Sequence, residues 1–402
     1  MVQAAFLDSV IQHYKPSVSA IANEKDLVFW KSRVDSLPQS FVNLEKYASA
    51  LATRFHIYGS IQDLKLADSI LQNLLQQYKE PGFLLSLAGL KMLQHRFADA
   101  KKEIEAVVQM KAERYAAQMM LFDADLELGN YYAASQILRN NYAPRDYAYN
   151  FRLSKFDHYR GEVDSAVWHM LKAANAASSN HYLRSAALSN AADLYLHEGR
   201  LKKAEQLYRQ CILLNSCDFH SIMGLGWIAL VHDGNEELAN KVFPFVKEKT
   251  KSPYPLFKLY QANELKSPEL ARKYALEFVG RAQQPVYGNM YAKYLIQVYT
   301  GILNNPWKAV SIARKEITLR STPQAYVWLA WSLFASGQKQ EAYQIYQEHI
   351  SGKALEALEL FWVGKMLKGL GKNYNARQFF KAAGKNKYDL SPMMAKNLEE
   401  NF

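Results

Sequence analysis

Two cysteines, Cys211 and Cys217, are all that the 402 residues contain. They are too few for a disulfide framework and lack companions at metal-ligand spacing. Both therefore read as free thiols, Cys211 at a helix-packing position, with a local disulfide as the alternative. Long apolar runs are missing too: the clearest, Ile222 to Val231, is far short of the roughly 18 residues a membrane-spanning helix requires. The first residues lack a basic start followed by an apolar core, so no export signal is visible. A cytoplasmic location is expected for the sequence as given, an exported form with its signal removed being the alternative. Proline and glycine are modest at 12 and 18, and without a low-complexity tract extensive disorder is not expected.

Chemistry-bearing motifs are absent as well. The chain has no HExxH, GxSxG, GxxxxGK[ST] or paired CxxC. Gly224-Leu-Gly226-Trp-Ile-Ala229 matches a dinucleotide fingerprint in letters, but it lies inside a predicted helix, Cys217 to Val231, where no strand aims a helix N-terminus at a phosphate. His158 and His169 are separated by a predicted turn and form no ligand pair. Adjacent carboxylates such as Glu236 and Glu237, or Glu399 and Glu400, diverge on a helix and make no acid/base dyad. These absences predict a non-enzymatic protein with no metal and no cofactor.

What the sequence does have is a period. Ala67, Ala100, Ala134, Ala166, Ala204, Ala239, Ala271, Ala309, Ala342 and Ala376 follow one another at 32 to 38 residues, about 34 on average, the spacing of a helical-hairpin repeat. Five residues before the alanine stands Gly129, Gly161, Gly199, Gly234, Gly337 or Gly371, where a left-handed turn is easiest without a Cβ. Gln62, Lys266 and Asn304 replace it in three units. Twelve residues before come small side chains, Ala88, Ser154, Ala192, Ala330 and Gly364, which let two helices approach. Four residues after come bulky ones, Leu71, Ile104, Leu138, Met170, Tyr208, Phe243, Tyr346 and Phe380, on the same helix face.

In this pattern the sequence resembles the tetratricopeptide repeat family, most clearly in "LSNAADLYLHEGRLKKAEQLYRQCILL" (188 to 214) and "YVWLAWSLFASGQKQEAYQIYQEHI" (326 to 350). The resemblance implies an all-α, right-handed α-α superhelix, a solenoid of stacked helix-turn-helix units. About ten repeats are expected over 48–385, after a helical lead-in at 1–47 that breaks at Leu37-Pro38, and before a capping helix at 386–402.

In such a stack the first helices line the concave side, with inward positions about 15, 11 and 8 residues before the alanine. Those positions hold Phe151, Lys155, His158, Asp193, Tyr260, Asn263, Tyr294, Trp331, Phe334, Phe361, Lys365 and Lys368, and aromatics with a few polar groups suit a recognition groove. The same aromatics also suit packing between repeats. The family's Lys and Asn peptide-carboxylate clamp is not reproduced.

The net charge of +11 is concentrated in residues 241–320, with 14 basic and 5 acidic groups. Lys247, Lys249, Lys251, Arg272, Lys273, Lys308, Arg314, Lys315 and Arg320 fall mostly on second helices, which face the convex side, where lysines near helix C-termini also have a plain dipole explanation. Because aromatics and basic cluster fall on different faces, nucleic acid is disfavoured as a partner. The expectation is a scaffold binding a peptide segment or protein surface in its concave groove. The alternative docks its basic convex edge on an acidic protein, a membrane or nucleic acid. Neither oligomeric state nor partner identity follows from the sequence.

Overall fold

Alternation of apolar first helices with amphipathic second helices leaves each hairpin a face to bury against the next, and the hairpins stack in chain order. The computed structural model describes residues 1–401 and, within them, contains helices and no strand. Two helices, α1 (Ala4–Gln12) and α2 (Val18–Ser36), precede the array. Ten hairpins follow: α3 (Phe41–Tyr58) with α4 (Ile61–Gln77), α5 (Pro81–Leu93) with α6 (Phe97–Gln109), α7 (Arg114–Leu128) with α8 (Tyr131–Asn140), α9 (Tyr147–Tyr159) with α10 (Val163–Ala176), and α11 (His181–His197) with α12 (Leu201–Leu214). The second five are α13 (Phe219–Val231) with α14 (Glu236–Lys249), α15 (Tyr254–Asn263) with α16 (Pro268–Ala282), α17 (Ala292–Thr300) with α18 (Pro306–Leu319), α19 (Pro323–Ala335) with α20 (Lys339–Ile345), and α21 (Ala357–Gly369) with α22 (Asn373–Lys385). A last helix, α23 (Pro392–Glu399), begins at a Ser391 cap. No helix among the described residues is long and apolar enough to cross a membrane.

All ten period-marking alanines are buried, none exposing more than 2% of its surface. The small side chains opposite them do what their size allows. Ser154 is fully buried and its hydroxyl donates to the carbonyl of Ala166 at 2.6 Å. A Cβ on Gly364 would come within 2.7 Å of the Phe380 ring, so the aromatic four residues after one alanine fills the space left twelve residues before it. Gly224 and Gly226 likewise sit inside α13 against Tyr208 and Val242 and belong to helix packing. The bulky positions are buried apart from Tyr346, which is half-buried where α20 widens into a π-helical turn, Tyr346–Ile350. Both cysteines are buried free thiols.

The turns follow the expected chemistry with shifts. All six glycines at the turn position have positive φ. Asn304 takes the same conformation, φ 48°, as does His95, φ 57°; asparagine and histidine tolerate that region better than most residues. In the first hairpin the turn falls three residues early, at Gly59 with φ 69°, which places Gln62 inside α4. Lys266 turns without a left-handed backbone.

The array curls until it meets itself six units ahead. At the end of α3, the Tyr58 carbonyl accepts from Lys251 N at 2.7 Å, just before α15. At the end of α7, Glu127 pairs with Arg320 at 2.9 Å, just before α19. At the end of α11, His197 contacts Asp389 at 2.7 Å, just before α23, and Trp227 donates to the Tyr388 carbonyl. The helices ahead of the first hairpin obey the same offset: α1 packs on α14 of the sixth, with the N-terminal ammonium 2.9 Å from Asp233. Two turn glycines thereby serve twice, since a Cβ on Gly59 or Gly129 would crowd Ser252 or Ser321 of the next turn of the coil, while Gly199 sits in contact range of Tyr388. The accessible surface of 18787 Å² exceeds the about 16,000 Å² expected for a solid globule of this mass.

Candidate functional site

Where the two turns of the coil meet, the first helices surround a chamber with two lobes. The first has a volume of about 460 Å³ and the second about 330 Å³, each in the range of ligand-binding pockets, ~300–1,000 Å³. Asp193, His197, Lys293, Tyr294 and Glu356 border both. The lower turn contributes the C-terminal halves of first helices, including Lys155, His158, Asn190 and His197. The upper turn contributes N-terminal halves, including Lys258, Lys293 and Tyr294.

The charges in these walls are largely matched. Lys293 lies 3.4 Å from Glu356 and 3.3 Å from the fully buried Glu359. Burial works against its ammonium, but the carboxylates of Glu359 and Glu356 outweigh it and hold the pKa above the usual lysine value. Lys293 in turn holds the Glu356 carboxyl well below its ordinary range. Burial also disfavours a charge on His197, yet Asp389 raises its pKa to about 9. His158 stacks on His197 with centroids 5.4 Å apart, and burial together with that cationic neighbour lowers its own pKa. Asp193 accepts from His220 at 2.9 Å and from the Tyr208 hydroxyl, and raises the His220 pKa to about 9.

Lys258 is the exception. It is the lone charge on α15, its ammonium lies 3.3 Å from the Trp227 ring centroid and 3.1 Å from Gln261 Oε1, and no carboxylate among the described residues pairs with it. Burial lowers its pKa to about 7.

Of the twelve groove positions read from the sequence, four meet here: Lys155, His158, Asp193 and Tyr294. The others do not. Tyr260 and Phe361, at 2% and 4% exposure, are inter-repeat core and present no surface to a partner. Asn263 is buried and donates to Asn240 and to the Leu259 carbonyl. Trp331 stacks on Trp362 at 5.7 Å and donates to Thr300, Phe334 packs beside it, and Phe151 packs against Tyr147. Lys365 is half-buried on α21, while Lys368 is exposed and donates to Asn401 near the chain end.

The reason is register. A fixed set of inward positions suits an open coil, but a chamber at the junction of two turns takes its lower wall from helix ends and its upper wall from helix starts. His197, His220, Lys258, Lys293 and Glu356 were missed for that reason. A signal existed in the upper wall, because Lys258 and Lys293 are each the single charge in an otherwise uncharged first helix.

The basic edge is divided by its own partners. Lys247 pairs with Glu277, Lys249 with Glu248, and Arg314 with Glu341, while Arg272 donates to the Ile302 carbonyl. Lys308 lies over Tyr299 and Lys315 borders a side cleft, and both are exposed, as are Lys251 and Lys273. Arg320, expected on the convex side, instead borders the first lobe and bonds Glu316 and Glu127, because it stands at the junction where the coil meets itself.

No protein-family model matches the sequence, and no curated protein is significantly similar to it. Among solved structures the fold is similar to that of yeast Tom70, at 12% identity and TM-score 0.38 over 89% of this chain and 96% of that one. It is similar to a tetratricopeptide repeat protein from Parabacteroides merdae, at 16% identity and TM-score 0.36 over 63% and 98%. It is also similar to the C-terminal part of a TPR repeat-containing protein from Cytophaga hutchinsonii, at 15% and 0.34 over 65% and 98%. The repeat itself, with its buried alanine, small opposing residue and left-handed turn, makes the chain an all-α protein of stacked helical hairpins.

Proposed function

We propose that the protein is a non-enzymatic scaffold that holds a peptide segment of a partner protein in the central chamber, with an acidic group of that segment on Lys258. The carrying observation is a half-open chamber in whose wall every cation but one is matched. Removing a charge from water without a partner is unfavourable, and an incoming carboxylate offsets that cost at Lys258. Mixed charges and the amides of Asn190, Gln297 and Gln324 offer hydrogen bonds to a peptide backbone as well. Asp389 and Asp193 keep His197 and His220 protonated at neutral pH, as hydrogen-bond donors to a bound segment. The ion pairs that divide the convex edge favour the chamber over docking through residues 241–320.

An array of mixed-sequence peptides, probed with the whole protein, tests this. Retained peptides are expected to share an acidic residue. Lys258→Met should abolish that preference, and Tyr294→Ala should weaken retention by more than about tenfold, the scale of a buried interface anchor. Retention that survives both changes but falls steeply with salt and with Lys251 and Lys273 changed to Gln would favour the basic edge instead.

A further inference from the structure

His95 and Asn289, in the wall of the first lobe, also border a side cleft of about 250 Å³. One flank of this cleft is the turn between α5 and α6, with Lys65 of α4 beside it. The other is the loop from Pro285 to Asn289, with Lys315 and Leu319 of α18. The cleft therefore lies on the seam where the second hairpin meets the eighth, one turn of the coil further on. The first, third and fifth hairpins are tied across that seam by a hydrogen bond or ion pair, at Tyr58, Glu127 and His197. No hydrogen bond or ion pair among the described residues ties the second hairpin to the eighth, whose Arg320 bonds Glu127 of the third instead. The two meet through Tyr287, buried in the core of α3, α4 and α5. Beside that contact the cleft reaches from the chamber wall to the outer surface, where Lys315 and Leu319 are exposed.

The charges of the cleft fit one kind of occupant. Arg96 is matched, by Asp68 at 3.1 Å and Asp99 at 3.0 Å. Lys65 donates to the Gln94 amide oxygen at 2.5 Å and has no carboxylate, and Lys315 has no ion-pair partner, among the described residues. Phe97, Val286 and Leu319 supply apolar wall between these cations. At the threshold to the chamber, burial and the nearby Arg320 guanidinium hold the His95 imidazole below its usual pKa, so it is uncharged at neutral pH. Asn289 is engaged with Glu316 at 2.8 Å. The path from the first lobe outward is thus neutral at its narrow point and positive beyond it.

We propose that the side cleft is a second subsite, through which the bound segment leaves the chamber, and that the stretch lying in it is acidic and rests on Lys65 and Lys315. The proposal builds on the reading of the chamber as a peptide site and adds a position outside it. Lys315 is exposed and Lys65 half-buried, so the two pairs act on affinity modestly and in a salt-dependent way. They select among segments the chamber already accepts.

Calorimetric titration of the whole protein reads this with the tightest peptide from the array, lengthened at either end by a short run of Glu or, as control, of Gln. At one end the Glu run is expected to bind about threefold tighter than the Gln run, the scale of two partly exposed ion pairs. Higher salt should erase the gain. Lys65→Gln together with Lys315→Gln should bring the Glu run level with the Gln run, and circular dichroism checks that this variant is folded. A benzophenone amino acid at Leu319 should form its adduct within the Glu run. Equal affinity of Glu and Gln runs at both ends would overturn the proposal, as would a gain that survives the two lysine changes. Either result leaves the chamber reading intact if the unextended peptide still depends on Lys258. An unextended peptide indifferent to Lys258→Met would instead sink the chamber reading and this subsite with it.

Discussion

Glu359→Ala is expected to destabilise the protein by about 3 kcal/mol, the lower end of the range for removing one partner of a buried ion pair. Glu359 is fully buried, accepts the Trp328 indole N–H at 2.8 Å and lies 3.3 Å from Lys293. Alanine leaves the indole without an acceptor and Lys293 with Glu356 alone, which faces the chamber and its water. That remaining partner is why the lower end applies. Glu359→Gln keeps an oxygen for the indole and should cost less. In urea denaturation, Lys293→Met and Glu359→Gln should show a coupling above about 1 kcal/mol, as directly paired residues do. Additive effects would mean that Lys293 is held by Glu356 and water alone.

The second large effect is a pH dependence of coil closure. The folded-state pKa of His197 is raised to about 9 from 6.5. A raised pKa means the folded state binds the proton more tightly. The stabilisation is therefore full below about pH 6.5 and is lost as pH rises through 9. With both side chains partly open to the chamber, it amounts to on the order of 2 kcal/mol at neutral pH. His220 is raised as well, to about 9 beside Asp193, so the wild type's total pH dependence is not the readout. The difference between wild type and Asp389→Asn is. Denaturation should find that variant weaker by on the order of 2 kcal/mol at pH 6.5, with the gap closing by pH 10. A gap constant with pH would mean that Asp389 acts by hydrogen bonding alone and His197 is not held cationic by it.

Sequence and structure agree where information is local and repeated. The alanine, the small residue twelve before it and the bulky residue four after it lie in one hairpin, so their spacing carries helix lengths, turns and stacking order. Asn304 shows the limit of reading letters, since it adopts the left-handed turn that a search for glycine treats as a lapse. Closure is another matter. It depends on the sum of small rotations between successive hairpins, and no single position encodes that sum. Trp331 and Tyr260 therefore looked like groove residues and are packing residues, and Arg320 looked convex and stands at the junction. Gly59, Gly129 and Gly199 carry both kinds of information. Their turn conformation follows from the repeat, whereas their close approach to Ser252, Ser321 and Tyr388 is visible once the coil is seen to meet itself.

The central claim, that the central chamber rather than the outer surface is where a partner segment sits, is tested most directly by photo-crosslinking. A benzophenone amino acid is placed in one protein at Gln324, in the wall of the first lobe, and in a second at Trp307, 62% exposed on α18. Each is irradiated with the tightest peptide from the array, and the adduct is located by mass spectrometry. The account predicts adduct formation from position 324 and none from 307. Adduct from 307 with none from 324 would contradict it and move the binding surface to the outside of the coil.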